Sequence, residues 1–311
     1  MKKLCLMIAV TTAFACVFAP LSVAQGPTAT AVVCGDVDLN SAVQSKDARM
    51  ILRHAAKTEP LTEKAALLRA DVDDDGVINA ADARLCLRVA GRLAPRSQRA
   101  EMTERQILEK FTSVMNETRA RARSYEKTEW WEISDEDFGA ATDIIGSALR
   151  TFLPGREDAD RTQTLDDASL IPPVNTAGVG CGLSDADAIL RASLTDNGDG
   201  TATIRIVLKD EADPEPMDPQ TGVSPSYTGG IFNVISGDDI RSKAADIGEF
   251  SLTELDVNYH DCVVVCTYDT ETGIAKTIDY TAPARIDAEF RLTFNFRGGA
   301  EIVNRVVVEI K

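Results

Sequence analysis

Histidine is nearly absent from this chain: His54 and His260 are the two found in 311 residues. They form no paired metal-binding motif, and no Cys-x-x-Cys segment stands in for one, so a zinc-module signature is missing. Nor is there a Gly-x-Ser-x-Gly elbow or a locally supported Cys/His pair, the marks of common hydrolases. Positive charge is short: 33 Lys and Arg face 49 Asp and Glu, for a formal charge of −16. Such a chain repels phosphate backbones and anionic membrane surfaces, so no nucleic-acid partner is expected. Past Pro20 no apolar run approaches the ~20 residues of a membrane helix, so no membrane span is expected either.

What the chain has is acid, and part of it is spaced. Residues 71–82 read D-V-D-D-D-G-V-I-N-A-A-D. Calcium is a hard cation that takes six to eight oxygens, and an EF-hand-type loop supplies them from positions 1, 3, 5, 7, 9 and 12 around a Gly at 6. Asp71, Asp73 and Asp75 fill the first three positions. Gly76 permits the turn, Val77 offers its carbonyl, and Asn79 and Asp82 complete the set. Ile78, at position 8, is expected to point into a core. Residues 36–47, D-V-D-L-N-S-A-V-Q-S-K-D, repeat the offsets with Asp36, Asp38, Asn40, Ala42, Gln44 and Asp47, and Val43 matches Ile78. The segments that follow also repeat, DARMILRHA against DARLCLRVA, with Asp, Ala, Arg, Leu, Arg and Ala in register.

Two calcium loops, each with an exiting helix and no entering helix, resemble the dockerin type I domain over about residues 34–93. The resemblance implies a calcium-folded module that plugs into a cohesin domain of a scaffoldin, as in cellulosomes. It implies two Ca2+ sites. The second is expected to be the stronger, because Ser41 replaces Gly at position 6 of the first loop and Asn40 removes a charge. In dockerins, positions 10 and 11 of each loop and the outer face of the next helix meet the cohesin. Carried over, these are Ser45, Lys46, Arg49 and Arg53, and Ala80, Ala81, Arg84 and Arg88. Ser-Lys against Ala-Ala breaks the symmetry between the copies, so one binding orientation is expected. The pseudo-twofold pairing of such loops brings Cys34 near Cys86, and a disulfide between them is expected; the competing reading is that Cys86 fills an apolar helix position.

Met1-Lys2-Lys3, an apolar stretch over 4–20 and Ser22-Val23-Ala24 before Gln25 read as a signal peptide over 1–24. A secreted or cell-surface, extracytoplasmic location follows as an expectation. There cysteines can oxidise. On one strand Cys262 and Cys266 would stand about 13 Å apart, too far for a mutual bridge. Either a bridge from one of them to Cys181 or three buried thiols fits the sequence.

Residues 94–100, with Ala94-Pro95-Arg96-Ser97, read as a linker before a domain at 101–311. Thr103-Glu-Arg-Gln106 is a capping box opening a helix with Ile107, Leu108, Phe111, Val114 and Met115 on one face. Arg119, Arg121 and Arg123 read as its solvated end, with an anion site as the alternative. Residues 124–133 are strand-like, and Trp130 and Trp131 must face opposite ways on a strand. At most one can therefore offer a sugar-stacking ring. Ser134-Asp-Glu-Asp137 is expected to cap a helix carrying Phe138, Ala141, Ile145, Leu149 and Phe152, and 156–182 to be a long loop. Strands are expected at 189–195 and 201–208 around an Asn-Gly/Asp-Gly hairpin, then at 251–259, 262–268, 274–281, 286–296 and 301–310. The fold class is therefore α+β: a small all-α calcium-binding module, then helices packed on a curved antiparallel sheet.

The reading that results is a dockerin-bearing docking protein whose C-terminal domain binds a carbohydrate or cell-surface ligand, or plays a structural part, linked to polysaccharide degradation. The alternative is a dockerin-tagged glycoside hydrolase or esterase with its active site in 101–311, since a glycosidase needs only two carboxylates. No catalytic residue is assigned.

Overall fold

The computed structural model describes residues 31–139, 142–165, 167–246, 251–291 and 295–311. The expected signal peptide lies outside them, as do residues 292–294 of the strand expected at 286–296.

The first module runs from β1 (Ala31–Val33) through α1 (Ser45–Ala55), α2 (Lys64–Ala70) and α3 (Ala80–Ala90) to β2 (Gln98–Ala100). Helices α1 and α3 follow the two acidic loops and pack on each other. Between them lies a small core of Cys34, Val37, Ala48, Ile51, Ala66, Ala70, Val72, Ala83 and Cys86. Val43 and Ile78, the position-8 residues, pack against it as their apolar character requires. The module's two ends meet: β1 and β2 pair antiparallel, Ala31 opposite Ala100. Strand β2 occupies what the sequence suggested was linker.

The second part contains α4 (Glu104–Arg121), β3 (Ser124–Asp137), α5 (Thr142–Phe152), β4 (Asp160–Leu165), β5 (Ile189–Asp196), β6 (Thr201–Leu208) and β7 (Glu211–Ala212). It continues with α6 (Gly237–Asp246), β8 (Ser251–Tyr259), β9 (Val263–Asp269), β10 (Ala275–Arg291) and β11 (Asn295–Ile310). One antiparallel sheet takes in all the strands in the order β1-β2-β5-β6-β9-β10-β11-β3-β4, with β8 on β10 and β7 on β8. Strand β2 joins β5 through Gln98–Asp196 and Arg99–Thr195, so the small module is stitched to the large sheet by backbone pairing.

Period-two burial along β10 places Ile278, Tyr280, Ala282, Ala284, Ile286, Ala288 and Phe290 on one face. Helix α4 covers part of that face with Ile107, Leu108, Phe111, Val114 and Met115, all buried. Its cap is the expected one: Thr103 Oγ accepts from Gln106 N at 3.3 Å, and Gln106 Oε1 accepts from Thr103 N at 3.0 Å. Edge-to-face rings, Phe232 on Tyr280 and Phe138 on Phe290, fill the rest.

Several sequence expectations change. The strand expected at 274–281 and residues 286–291 of the one expected at 286–296 fall in the single strand β10, while Asn295 and Phe296 begin β11. Pro283 falls between the end of β9's pairing at Thr281 and the start of β8's at Ala284, so on that side its missing N–H leaves no ladder bond unmade. Ser134 to Asp137 continue β3 opposite β11, and the helix starts later, at Thr142. Strand β4 lies inside the expected loop at 156–182 and pairs with β3. Arg119 is no solvated helix end: its guanidinium is largely buried and donates to the carbonyls of Ile171, Pro173 (2.6 Å) and Asn175 (3.4 Å). Trp131 packs against the core, while Trp130 lies half-buried with Arg156 over its ring at 5.5 Å. No described helix is long and apolar enough to cross a membrane.

Candidate metal centre and docking face

Each acidic loop is wound around its own carboxylates. In loop one, Asp36 accepts from Asn40 N (3.0 Å) and Ser41 N (2.9 Å), and Asp47 accepts from Val37 N (2.9 Å), Asp38 N (3.1 Å) and Gln44 N (2.9 Å). Loop two repeats this: Asp71 takes Gly76 N at 3.1 Å, and Asp82 takes Val72 N (2.6 Å), Asp73 N (3.3 Å) and Asn79 N (2.8 Å). Backbone conformation repeats as well. Position 4 is left-handed in both loops (Leu39 φ 61°, Asp74 φ 60°), and so is position 6 (Ser41 φ 69°, Gly76 φ 92°). Ser41 therefore adopts the conformation that its glycine counterpart adopts without strain.

These backbone bonds use up some carboxylate oxygens and leave others facing inward. Single oxygens of Asp36, Asp38 and Asp47 lie within 4.8 Å of one another, and those of Asp71, Asp73 and Asp82 do the same. Asp38 Oδ1 and Asp71 Oδ1 are buried without a hydrogen-bond partner among the described residues. An orphaned, buried carboxylate oxygen among other carboxylates is costly unless a cation meets it. Asp73's carboxyl is pushed up to about 6 by partial burial and then by the charges of Asp82 and Asp75. An oxygen-only, multiply anionic cluster of this kind suits a hard divalent ion such as Ca2+.

The other expected ligands lie around these clusters. Asn40 Oδ1 holds Ala42 N (2.9 Å), and Asp75 Oδ1 holds Val77 N (2.7 Å). Val77's carbonyl accepts the Asn79 amide at 3.1 Å, and Asn79 Oδ1 caps α3 at Ala81 N (2.7 Å). Gln44 is exposed just ahead of α1.

The expected docking residues all lie on α1 and α3. Ser45, Lys46, Arg49, Arg53, Ala80, Arg84 and Arg88 are exposed and Ala81 is half-buried. Sequence reasoning passed over Leu52 and Leu87, which occupy equivalent repeat positions and are 44% and 46% exposed. Their recurrence in register with the arginines was the available signal.

Residues 34–88 match the family model described as Dockerin type I domain. This module is a dockerin. No curated protein and no solved structure matches the chain. Dockerins bind calcium and dock into cohesins, and the two acidic clusters stand at the dockerin's repeat positions. The expected Cys34–Cys86 disulfide is not formed in this structure: both are buried free thiols. Cys86 Sγ turns to the Gly35 carbonyl at 3.5 Å, whereas the Cys34 amide donates to the Ser97 carbonyl at 3.2 Å. Burial, and next the charge of Asp47, push the Cys86 thiol up to about 12. Cys181, Cys262 and Cys266 are likewise buried and free.

Beyond the dockerin, the sheet's outer face has a depression of about 400 Å³ lined by Glu254, Asp256, Asp287 and Glu289 with Arg285 and Arg297. Arg297 bridges Glu254 and Glu289 at 2.6 Å each, and Arg285 pairs with Asp287 at 3.0 Å. The hydrogen bond from Arg297 holds Glu289 below the usual carboxylate range, the reverse of what a general acid requires.

Proposed function

We propose that the dockerin holds two calcium ions and attaches residues 101–311, through a cohesin, to a scaffoldin or cell-surface assembly of the polysaccharide-degrading kind. Asp36, Asp38, Asn40, the Ala42 carbonyl, Gln44 and Asp47 would hold the first ion. Asp71, Asp73, Asp75, the Val77 carbonyl, Asn79 and Asp82 would hold the second. Calcium here neutralises clustered carboxylates, so its binding is linked to folding of the module. One observation carries this reading: in each of the two acidic clusters one buried carboxylate oxygen, on Asp38 in the first and on Asp71 in the second, has no hydrogen-bond partner among the described residues. The dockerin is read as one domain over 34–93, followed by a binding or structural domain over 101–311 of an extracytoplasmic protein.

Docking is expected to favour one copy of the repeat. Lys46 reaches Asp38 at 2.8 Å beside the exposed Arg49, and the second copy offers Ala81 and Arg84 at the same positions. Lys46→Ala/Arg49→Ala and Ala81→Asp/Arg84→Ala, each titrated against a cognate cohesin by calorimetry, should differ. The pair on the used face should lose on the order of 2 kcal/mol or more, and the other little. Equal losses would refute a preferred orientation. No binding by the unmodified chain would refute the docking role.

A further inference from the structure

Loop two does not face open solvent on all sides. Arg191, on β5, reaches across to it: Nη1 lies 3.3 Å from Asp71 Oδ2, and Nη2 lies 3.1 Å from the Asp74 carbonyl. Ser193, two residues on along the same face of β5, donates to Asp74 Oδ2. Arg99 on β2 donates to the carbonyls of Leu68 (2.6 Å) and Asp71 (2.8 Å) and pairs with Asp74 Oδ1 at 3.0 Å. Gly76 lies so close that a Cβ there would fall 2.7 Å from Arg191 Nη1. Loop one has no such neighbour from the sheet among the described residues. Its cations, Lys46 on Asp38 and Arg96 on the Ser41 carbonyl (2.8 Å), come from its own module.

The geometry of Asp71 is informative. Its Oδ1 is buried with no hydrogen-bond partner among the described residues, and its Oδ2 carries Arg191 and the Gly76 N–H. A metal on Oδ1 and the guanidinium on Oδ2 would share one carboxylate, as two like charges on either side of it. We infer that calcium at loop two and the seating of that loop on β5 oppose each other: Arg191 is a resident counter-cation that calcium must work against, and bound calcium loosens the dockerin from the sheet. The effect is reciprocal, because a coupling free energy acts equally on both partners. It also narrows the advantage that loop two's extra acid and its glycine would otherwise give it over loop one. This inference rests on the calcium reading above.

Calcium titration of the full chain by calorimetry tests it, with Asp73→Ala used to identify which event belongs to loop two. Arg191→Gln should tighten loop two by about two- to fivefold, the size of a part-exposed ion pair, and leave loop one unchanged. Arg191→Lys keeps the charge and should stay near the starting affinity. Unchanged or weaker binding by Arg191→Gln overturns the coupling. A measurement that needs no variant stands beside it: hydrogen exchange over residues 191–195 of the unmodified chain should speed up when calcium is added, and equal or slower exchange overturns the inference. Absence of any calcium event removed by Asp73→Ala would sink the calcium reading of loop two itself, and the coupling with it.

Discussion

Ser41 holds a left-handed backbone, φ 69°, where its counterpart in the second loop is a glycine. A side chain in that region costs about 1–2 kcal/mol. Ser41→Gly should therefore strengthen loop one by about 1 kcal/mol, or roughly fivefold in calcium affinity, read by calorimetry and by the calcium-dependent rise in thermal midpoint. His260 supplies a second test at this scale. Partial burial works against its charged form, but hydrogen bonds to Asp261 (3.2 Å) and Glu301 (2.7 Å) raise it above its ordinary 6.5 overall. A base raised on folding adds stability that is fully present below its unfolded value and is lost as pH climbs through the raised one. Stability from this site should thus fall as pH rises above 6.5, and Glu301→Gln should bring the imidazole titration down, as followed by NMR.

At the scale of elements, local rules carried far where the signal was local. The loop offsets and the Thr103–Gln106 box each set an element in place, because each is a contact between residues fewer than a dozen apart, and the repeat of D-A-R and L-R marks the helix that follows each loop. Long-range partners left no such trace. Strand β4 reads as polar loop because it is an edge strand that buries little and is held by backbone pairing to β3. Pro283 reads as a break because nothing nearby shows that its strand changes partner there. Arg119 reads as a solvated end because the carbonyls that bury it lie more than fifty residues away. The acidic clusters were legible almost whole; Arg191, more than a hundred residues from Asp71, was not. Helix α4 is also where packing is expected to matter most. Phe111→Ala should cost about 3–5 kcal/mol in a denaturant titration, because that ring is 1% exposed between helix and sheet.

For the molecule as a whole, the decisive feature is the join. A free linker over 94–100 would let two domains turn independently, but Gln98 and Arg99 are paired to β5, and Arg99 and Arg191 clasp the dockerin from the sheet side. In the calcium-free chain, amides of α1 and α3 should therefore show the same rotational correlation time as those of β9 and β10 by 15N relaxation. A markedly shorter time for the helices would show that the join is not made. A flexible tether of that length would let its cargo wander over about 15 Å, blurring any heading. Here the β2–β5 pairing does not run through loop two, so it keeps α1 and α3 in one bearing to the sheet even where calcium loosens that loop from Arg191. A cohesin that grips those helices would thereby choose which way the Glu254–Asp287–Glu289 face points toward its neighbours on the same scaffold.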